Sequence, residues 1–334
     1  MVIKLRWLLQ IYRNFQDLKF PDELTPIRAP GLDEPFGRRL ISSGNLIPGR
    51  GMKKSLILSS DNFTTYIVMP SFSGKIVWIT GASSGIGEAL VALLAKEQAT
   101  LILSSRREDE LRRVQKTCGL TDECCLILPF DLEQLGNPSK LVEIVLARYG
   151  QIDVLINNGG ISQRAYAKDT DIGTDRRLME VNYFGPVALT KSVLPGMISR
   201  KSGQIVVISS VAGKFGFFLR SAYSASKHAL QGFFESLRME LFADNIQVLL
   251  VCPGKIATHI SVNALTADGK RSGRMDDAQA NGMTAETCAR RILEAMKQQK
   301  EEIIIGNSRE QTAVWLKRFF PHFFSKMIRK QKAE

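Results

Sequence analysis

The sequence predicts an α/β protein built on a single doubly wound parallel sheet with helices on both faces. Three observations predict it. Short, continuously apolar runs suited to buried parallel strands recur along the chain. They alternate with stretches of helical period, which makes repeated βα units. The first such run passes directly into a glycine turn and then a helix, the arrangement that presents backbone N–H groups to a pyrophosphate.

That first unit spans residues 75–95. The strand Lys75-Ile76-Val77-Trp78-Ile79-Thr80 meets Gly81-Ala82-Ser83-Ser84-Gly85-Ile86-Gly87, and Leu90, Val91, Leu94 and Ala95 continue as a helix. Glycine relieves the tight turn and lets a phosphate approach. The spacing is G-x-x-x-G-x-G, not the commoner G-x-G-x-x-G. A second strand, residues 100–104, ends in Ser105-Arg106-Arg107. An acid near this point would hold a ribose 2′-hydroxyl, whereas an arginine accommodates a 2′-phosphate. Glu108 and Asp109 come later, at the start of the next helix, so Arg106 argues for NADPH over NAD; the competing reading is an exposed helix-capping arginine.

The alternation continues. A strand over residues 124–130 ends at Asp131, and a helix covers 141–149. A strand at 154–156 ends in Asn157-Asn158-Gly159-Gly160, and one long helix over 178–197 carries Asn182. A strand at 203–208 ends in Ser209-Ser210; a helix follows at 222–241; a strand at 247–251 ends in Cys252-Pro253-Gly254. A helix at 284–299 has Thr284 as its N-cap and Glu286 in its first turn, and a short strand at 303–305 closes the set. Ligands of such sheets sit at the carboxyl ends of strands. Asp131 and Asn157 therefore fall where an adenine and its ribose could be held.

The helix at 222–241 carries Tyr223 and Lys227, one turn apart on one face. A free tyrosine has a pKa near 10 and moves protons poorly at neutral pH; a nearby ammonium favours the phenolate. Lowering that pKa by about 3 units takes roughly 4 kcal/mol of differential stabilisation. Alone the pair is commonplace, since a packed tyrosine beside a solvated lysine gives the same spacing.

Composition sets the limits. The chain has 334 residues, 44% of them apolar and 23% charged, as in soluble globular proteins, and carries a net charge of +12. That charge suits an anionic substrate, anionic lipid or nucleic acid, or a merely soluble surface. Five cysteines form no C-x-x-C and only three histidines are present, so no metal site is expected and reduced, structural thiols are. No apolar run is long enough to span a membrane, and the first residues lack the apolar core of a secretory signal. Residues 1–70 hold Pro21, Pro26, Pro30, Pro35 and Pro48 among charges and glycines without a sustained period. They read as a poorly structured extension. It is expected to lie upstream of the natural start, at Met69 or Met52; the other reading is a regulatory or targeting arm. Residues 71–310 make the catalytic domain and 311–334 a basic aromatic tail.

Taken in order, Thr80–Gly87, Asn157-Asn158-Gly159-Gly160, Asn182, Ser210, Tyr223-x-x-x-Lys227 and Pro253-Gly254 resemble the classical short-chain dehydrogenase/reductases over about residues 73–310. Gly160 departs from the family, which usually has alanine there. The stretches 181–191 and 261–269 further resemble the member 7B branch of the dehydrogenase/reductase group. The resemblance implies a Rossmann fold and a catalytic set of Asn182, Ser210, Tyr223 and Lys227. It implies cofactor contacts from Gly81, Ser83, Ser84, Gly85, Ile86, Gly87, Arg106, Asp131, Asn158, Tyr223, Lys227, Pro253, Gly254, Ile256 and Thr258. It implies a homodimer or homotetramer reducing acyl- or alkyl-dihydroxyacetone-phosphate-type lipids at peroxisomal or endoplasmic-reticulum membranes. Animal members of the branch carry an apolar N-terminal anchor. None is seen here, which points to a cytoplasmic protein, peripheral at the membrane at most.

Substrate contacts are expected from Arg164, Lys255 and His259 for an anionic head group, and from Phe215, Phe217, Phe218 and Leu219 for an apolar channel. For each of these a plain surface residue is an equal alternative. The tail mixes Trp315, Phe319, Phe320, Phe323 and Phe324 with lysine and arginine, and Pro321 breaks any single helix. Membrane contact is expected of it, a dimer contact or a flap over the substrate channel being the alternatives. The sequence thus reads as an NADPH-dependent ketoreductase of lipid-like carbonyls. A steroid or retinoid dehydrogenase is the rival within the class, and a non-catalytic NADPH-binding sensor or interaction protein the rival outside it. Nucleic-acid binding rests on net charge alone and is not expected.

Overall fold

The computed structural model describes residues 71–329. The expectations for residues 1–70, and for the last five residues of the tail, lie outside that range. Seven parallel strands form one sheet: β1 (Ile76–Thr80), β2 (Thr100–Ser104), β3 (Cys125–Ile127), β4 (Val154–Asn157), β5 (Gly203–Ile208), β6 (Ile246–Pro253) and β7 (Glu302–Ile305). Their order across the sheet is β3-β2-β1-β4-β5-β6-β7. The chain runs outward from β1 to β3 and then returns to the other side of β1 with β4. A cleft opens at such a reversal, beyond the carboxyl ends of the strands.

Every residue of β1 is buried, which is why the run alternates nothing: both faces of the sheet are covered. One face packs on α1 (Gly85–Lys96), α2 (Glu108–Thr117) and a later helix, Ala285–Lys297; Leu90, Leu94, Leu111 and Ile292 lie in that core. The other face packs on α3 (Pro138–Tyr149), α5 (Gly185–Arg200) and α6 (Ser221–Glu240), with Val145, Leu189, Val193 and Phe234 at its centre. Between β4 and α5 lies α4 (Ile172–Met179); the Ala285–Lys297 helix is α7.

Residues 178–197 do not form one helix. A π turn, Glu180–Phe184, separates α4 from α5. The Asn182 side chain is bonded to both the N–H and the C=O of Ile161, and the wider turn aims it there; such bulges commonly sit at functional sites. β3 is shorter than expected. Beyond Ile127 only single bonds, Leu128 N–H to Leu103 O and Phe130 N–H to Ser105 O, hold this edge segment to its neighbour. Thr284 caps α7 as expected, accepting from the Thr287 N–H.

After β7 the chain makes α8 (Ser308–Phe319) and α9 (Pro321–Ile328). Pro321 ends one helix and starts the next, as its missing N–H dictates. The expected boundary at 310/311 falls inside α8. Of the cysteines, Cys125, Cys252 and Cys288 are buried, which pushes each thiol up to about 12 and leaves it an inert apolar group. Among the described residues no helix is long and apolar enough to cross a membrane.

Thr284→Ala removes a cap from a helix that buries seven side chains. Chemical denaturation should show a loss of about 1 kcal/mol, with dinucleotide affinity unchanged.

Candidate active site

The glycine turn is built by sterics. Gly81 adopts φ +66°, and a Cβ there would lie 2.8 Å from Gly159 Cα. At Gly87 a Cβ would meet Gly81 O at 2.2 Å and Asn158 Nδ2 at 2.6 Å. The start of α1 is thereby pressed against the end of β4. Thr80 Oγ1 accepts from the N–H groups of Asn158 and Gly159, both at 3.0 Å. The Asn158 amide returns two bonds, to Thr80 O and Gly81 O. Its side chain holds the turn, and the turn faces the cleft. Asn157, one residue earlier, points the other way and donates to Thr190 Oγ1 at 2.9 Å. Alternate residues of a strand face opposite sides, so the expectation of a ligand contact from Asn157 is corrected.

A cleft of about 1370 Å³ runs over this turn and along the strand ends. That exceeds the roughly 300–1,000 Å³ of a site for one small ligand and suits two side by side. Gly81, Ser83, Ser84, Gly85, Ile86, Arg106, Asp131, Asn158, Pro253, Gly254, Ile256 and Thr258 line it, with Ser210, Tyr223 and Lys227. Gly87 and Asn182 do not reach its wall; one shapes the turn and the other supports the loop behind it. Arg164, Phe217 and His259 line the cleft as expected.

The cleft fits a dinucleotide on its own chemistry. Ser84 precedes α1 without spending its side chain on the helix, so the first N–H groups of α1 stay open to an anion. At the end of β2, Arg106 lies 4.0 Å from Asp131. Arg107, which the sequence reading passed over, donates to Ser83 Oγ at 3.3 Å and lines the same corner. Two guanidiniums therefore stand where a ribose would lie.

The candidate catalytic groups converge from the end of β5, the start of α6 and the π turn. Ser210 follows β5, and its hydroxyl accepts from Ala212 N–H at 3.1 Å and donates to Pro253 O at 3.3 Å. Tyr223 is buried in the first turn of α6 beside that hydroxyl. Lys227 is buried too, and its ammonium donates to Ile208 O at 3.0 Å. Asn182 donates to Ser226 Oγ at 3.0 Å, joining the π turn to α6. Gln231, a further turn along, donates to Ser209 Oγ, Ser210 O and Cys252 Sγ. Tyr223, Lys227 and Gln231 thus share a face at four-residue intervals. The same spacing that flagged the first two could have found the third.

The electrostatics differ from the sequence expectation in one respect. Burial raises the Tyr223 phenol; the Ser210 hydroxyl and the Arg220 guanidinium pull it back. Burial also lowers Lys227, to about 8. Lys227 loses its charge before a raised phenol titrates, and its Nζ sits 5.9 Å from the Tyr223 ring centre. The permanent cation here is Arg220, which precedes α6. It donates to Ser162 Oγ at 2.7 Å and to Asp276 Oδ2 at 2.5 Å. Asp276 also pairs with Arg164. It belongs to the excursion between the two-residue strands Ile256–Ala257 and Met283–Thr284, which pair in parallel. This ion-pair cluster fastens that excursion to the start of α6. Arg220 and Asp276 escaped the sequence reading because no motif links positions 56 residues apart.

Residues 75–268 match the short chain dehydrogenase family pattern. A dehydrogenase/reductase SDR family protein 7-like of Anopheles gambiae is 43% identical over 293 residues, covering 86% of this chain and 90% of its own. The dehydrogenase/reductase SDR family member 7B of Mus musculus is 40% identical, covering 76% and 80%. A short-chain dehydrogenase from Streptomyces avermitilis superposes with a TM-score of 0.67 at 29% identity, over 79% of this chain and all of its own. A Burkholderia phymatum enzyme solved in complex with NAD gives 0.67 at 22% identity, over 80% and 98%, which speaks to the fold alone.

Lys227→Met should separate stability from chemistry. The folded value of about 8 lies below the ordinary 10.5. Between those pH values the unfolded chain holds more protons, so stability rises with pH there; below about pH 8 the buried charge costs its full amount. The gap sets a ceiling of about 3 kcal/mol, and losing the bond to Ile208 O offsets about 1–2 kcal/mol. The variant should therefore be about 1–2 kcal/mol more stable at pH 7, the gain fading toward pH 10.5, with turnover lost; matched denaturation curves at pH 7 and 10 and a rate assay check it.

Proposed function

The chain belongs to the short-chain dehydrogenase/reductase family, and we propose that within it this protein is an NADPH-dependent ketoreductase of lipid-like carbonyl compounds. The coarser statement, an NAD(P)-dependent oxidoreductase of the member 7 branch, follows from the family itself. The observation that carries the finer one is the corner at the end of β2. Arg106 and Arg107 both line it, and Asp131, which lines it too, already faces Arg106. Two guanidiniums suit the doubly charged 2′-phosphate of NADP(H), by charge-assisted bonds.

The bound nicotinamide supplies the hydride. The protein positions the ketone and gives the proton. The Tyr223 hydroxyl is the acid for the substrate oxygen, and the Ser210 hydroxyl, freed from Pro253 O, donates a second bond to that oxygen and stabilises its developing charge. Arg220 favours the phenolate that remains. Lys227, lowered by burial to about 8, still carries its proton at neutral pH and is suited to return one to Tyr223. Asn182, bonded to Ile161 and Ser226, holds the loop beside this relay; we assign it the anchoring of a water between Lys227 and solvent.

The substrate class is supported by the remaining wall. Phe215 and Phe217 stack at 4.7 Å, and Tyr166 meets Phe218 edge-on at 5.4 Å. Arg164 and Arg220 both pair with Asp276 and both line this wall, two guanidiniums suited to an anionic head group such as the phosphate of an acyl- or alkyl-dihydroxyacetone phosphate. His259 lines the same wall. The aromatic wall equally suits a steroid or retinoid ketone. Exposed Phe184, Met239 and Phe242 near the ends of α5 and α6 support self-association.

Assay of the purified protein with NADPH and NADH against acyl-dihydroxyacetone phosphate, a steroid ketone and retinal tests this reading; turnover with NADH alone would reject the cofactor assignment. Arg106→Ala should raise KM for NADPH about tenfold or more, the worth of one charge-assisted bond, and leave KM for NADH nearly unchanged. Tyr223→Phe should lower kcat by about 10²–10⁴ while dinucleotide titration stays normal.

A further inference from the structure

The last two helices present different chemistry on their two faces. On α9, Phe324, Met327 and Ile328 fall on the inner face. Phe324 is buried with its ring 4.9 Å from that of Phe215, and Met327 and Ile328 line the catalytic cleft. On the outer side Trp315, Phe319, Phe320 and Phe323 are between 40% and 60% exposed. Trp315 packs on Phe319 and Phe320 at 5.2 and 5.3 Å, so these three rings form one continuous patch, and Phe323 follows on α9. The two helices carry Arg309, Lys317, Arg318, Lys326 and Arg329 against Glu310 as the single acid between Ser308 and Arg329; Arg318 lines a groove with Trp315 and Phe319, whereas Lys317 lies over the Phe324 ring and Arg309 and Arg329 line the cleft. Glu310 is committed elsewhere. It closes a capping box with Asn307 and accepts from Lys255 N–H at 2.8 Å, fixing the root of α8 beside the cleft.

We propose that the outer face of α8 and α9 docks on an anionic lipid bilayer, and that this docking sets the mouth of the substrate cleft at the bilayer surface. The occupant follows from the chemistry. Large aromatics interleaved with lysine and arginine match the interfacial zone of an anionic membrane, where rings sit at headgroup depth and cations meet lipid phosphates and carboxylates. A second protein copy would bring the same excess of basic residues on these two helices and be repelled by it. The geometry links surface to site, because the residue next to Phe323 on the outside is Phe324 on the inside. The second half of the proposal rests on the reading of a lipid-like substrate; the first half does not.

Flotation of the full chain with phosphatidylcholine–phosphatidylserine vesicles, and with phosphatidylcholine alone, tests it. The wild type should float with the mixed vesicles, less so at high salt. Phe319→Ser combined with Phe323→Ser should weaken partitioning about tenfold or more, and Phe324→Ala should float like the wild type. The double variant should reduce a short soluble ketone at the wild-type rate and lose turnover of a long-chain ketone held in vesicles. A wild type that floats yet reduces no lipid ketone upholds the docking surface and rejects only the substrate class. A double variant that floats like the wild type overturns the proposal, as does a wild-type dimer that binds no vesicle and that the double substitution splits.

Discussion

A lysine ammonium inside a protein is costly to bury, and Lys227 donates a hydrogen bond to the carbonyl of Ile208 that offsets part of that cost. Burial brings it down to about 8. The surrounding structure holds it there nonetheless. It lies on a helix whose same side carries Leu230 and Phe234 into the core, and the helix cannot rotate without exposing them. The group is therefore fixed at the end of β5, one turn from Tyr223 and near Asn182. A surface lysine would keep its ordinary value and its mobility.

The same economy governs the other end of the cleft. The glycine turn is locked by reciprocal bonds between Thr80 and the Asn158–Gly159 segment. Those bonds need strands β1 and β4 side by side, which occurs only at the reversal of strand order. Fold and phosphate cradle are one constraint. The glycines are the residues small enough for two backbones to meet at 2.8 Å or less from where a Cβ would stand. At Gly160 a Cβ would sit 3.0 Å from Asn182 Oδ1, so the alanine common in the family fits with only a small shift of its neighbour.

Above this rigid floor the substrate side is assembled from later segments. The excursion between Ile256–Ala257 and Met283–Thr284 reaches Arg220 through Asp276, and α9 reaches Phe215 through Phe324. Each contact joins a catalytic element to a segment distant in the chain. The walls of the cleft can thus vary with these segments while the floor beneath stays fixed, as is usual where sites are grafted on a common fold.

Much of this was legible in the sequence because it rests on local pattern. Unbroken apolar runs announced buried strands, Thr284 announced its helix, and Tyr223 and Lys227 announced a shared face, since helix and strand periods depend only on neighbours along the chain. Tertiary structure decided the rest. It turned Asn157 from the cleft, broke the 178–197 helix at Asn182, recruited Arg107, Arg220, Gln231 and Asp276, and folded the tail onto the substrate mouth. Those outcomes depend on which groups meet across 20 to 60 or more residues, and on how far burial shifts a charge. Neither is written in the spacing of letters; both arise only when the sheet brings its strand ends together.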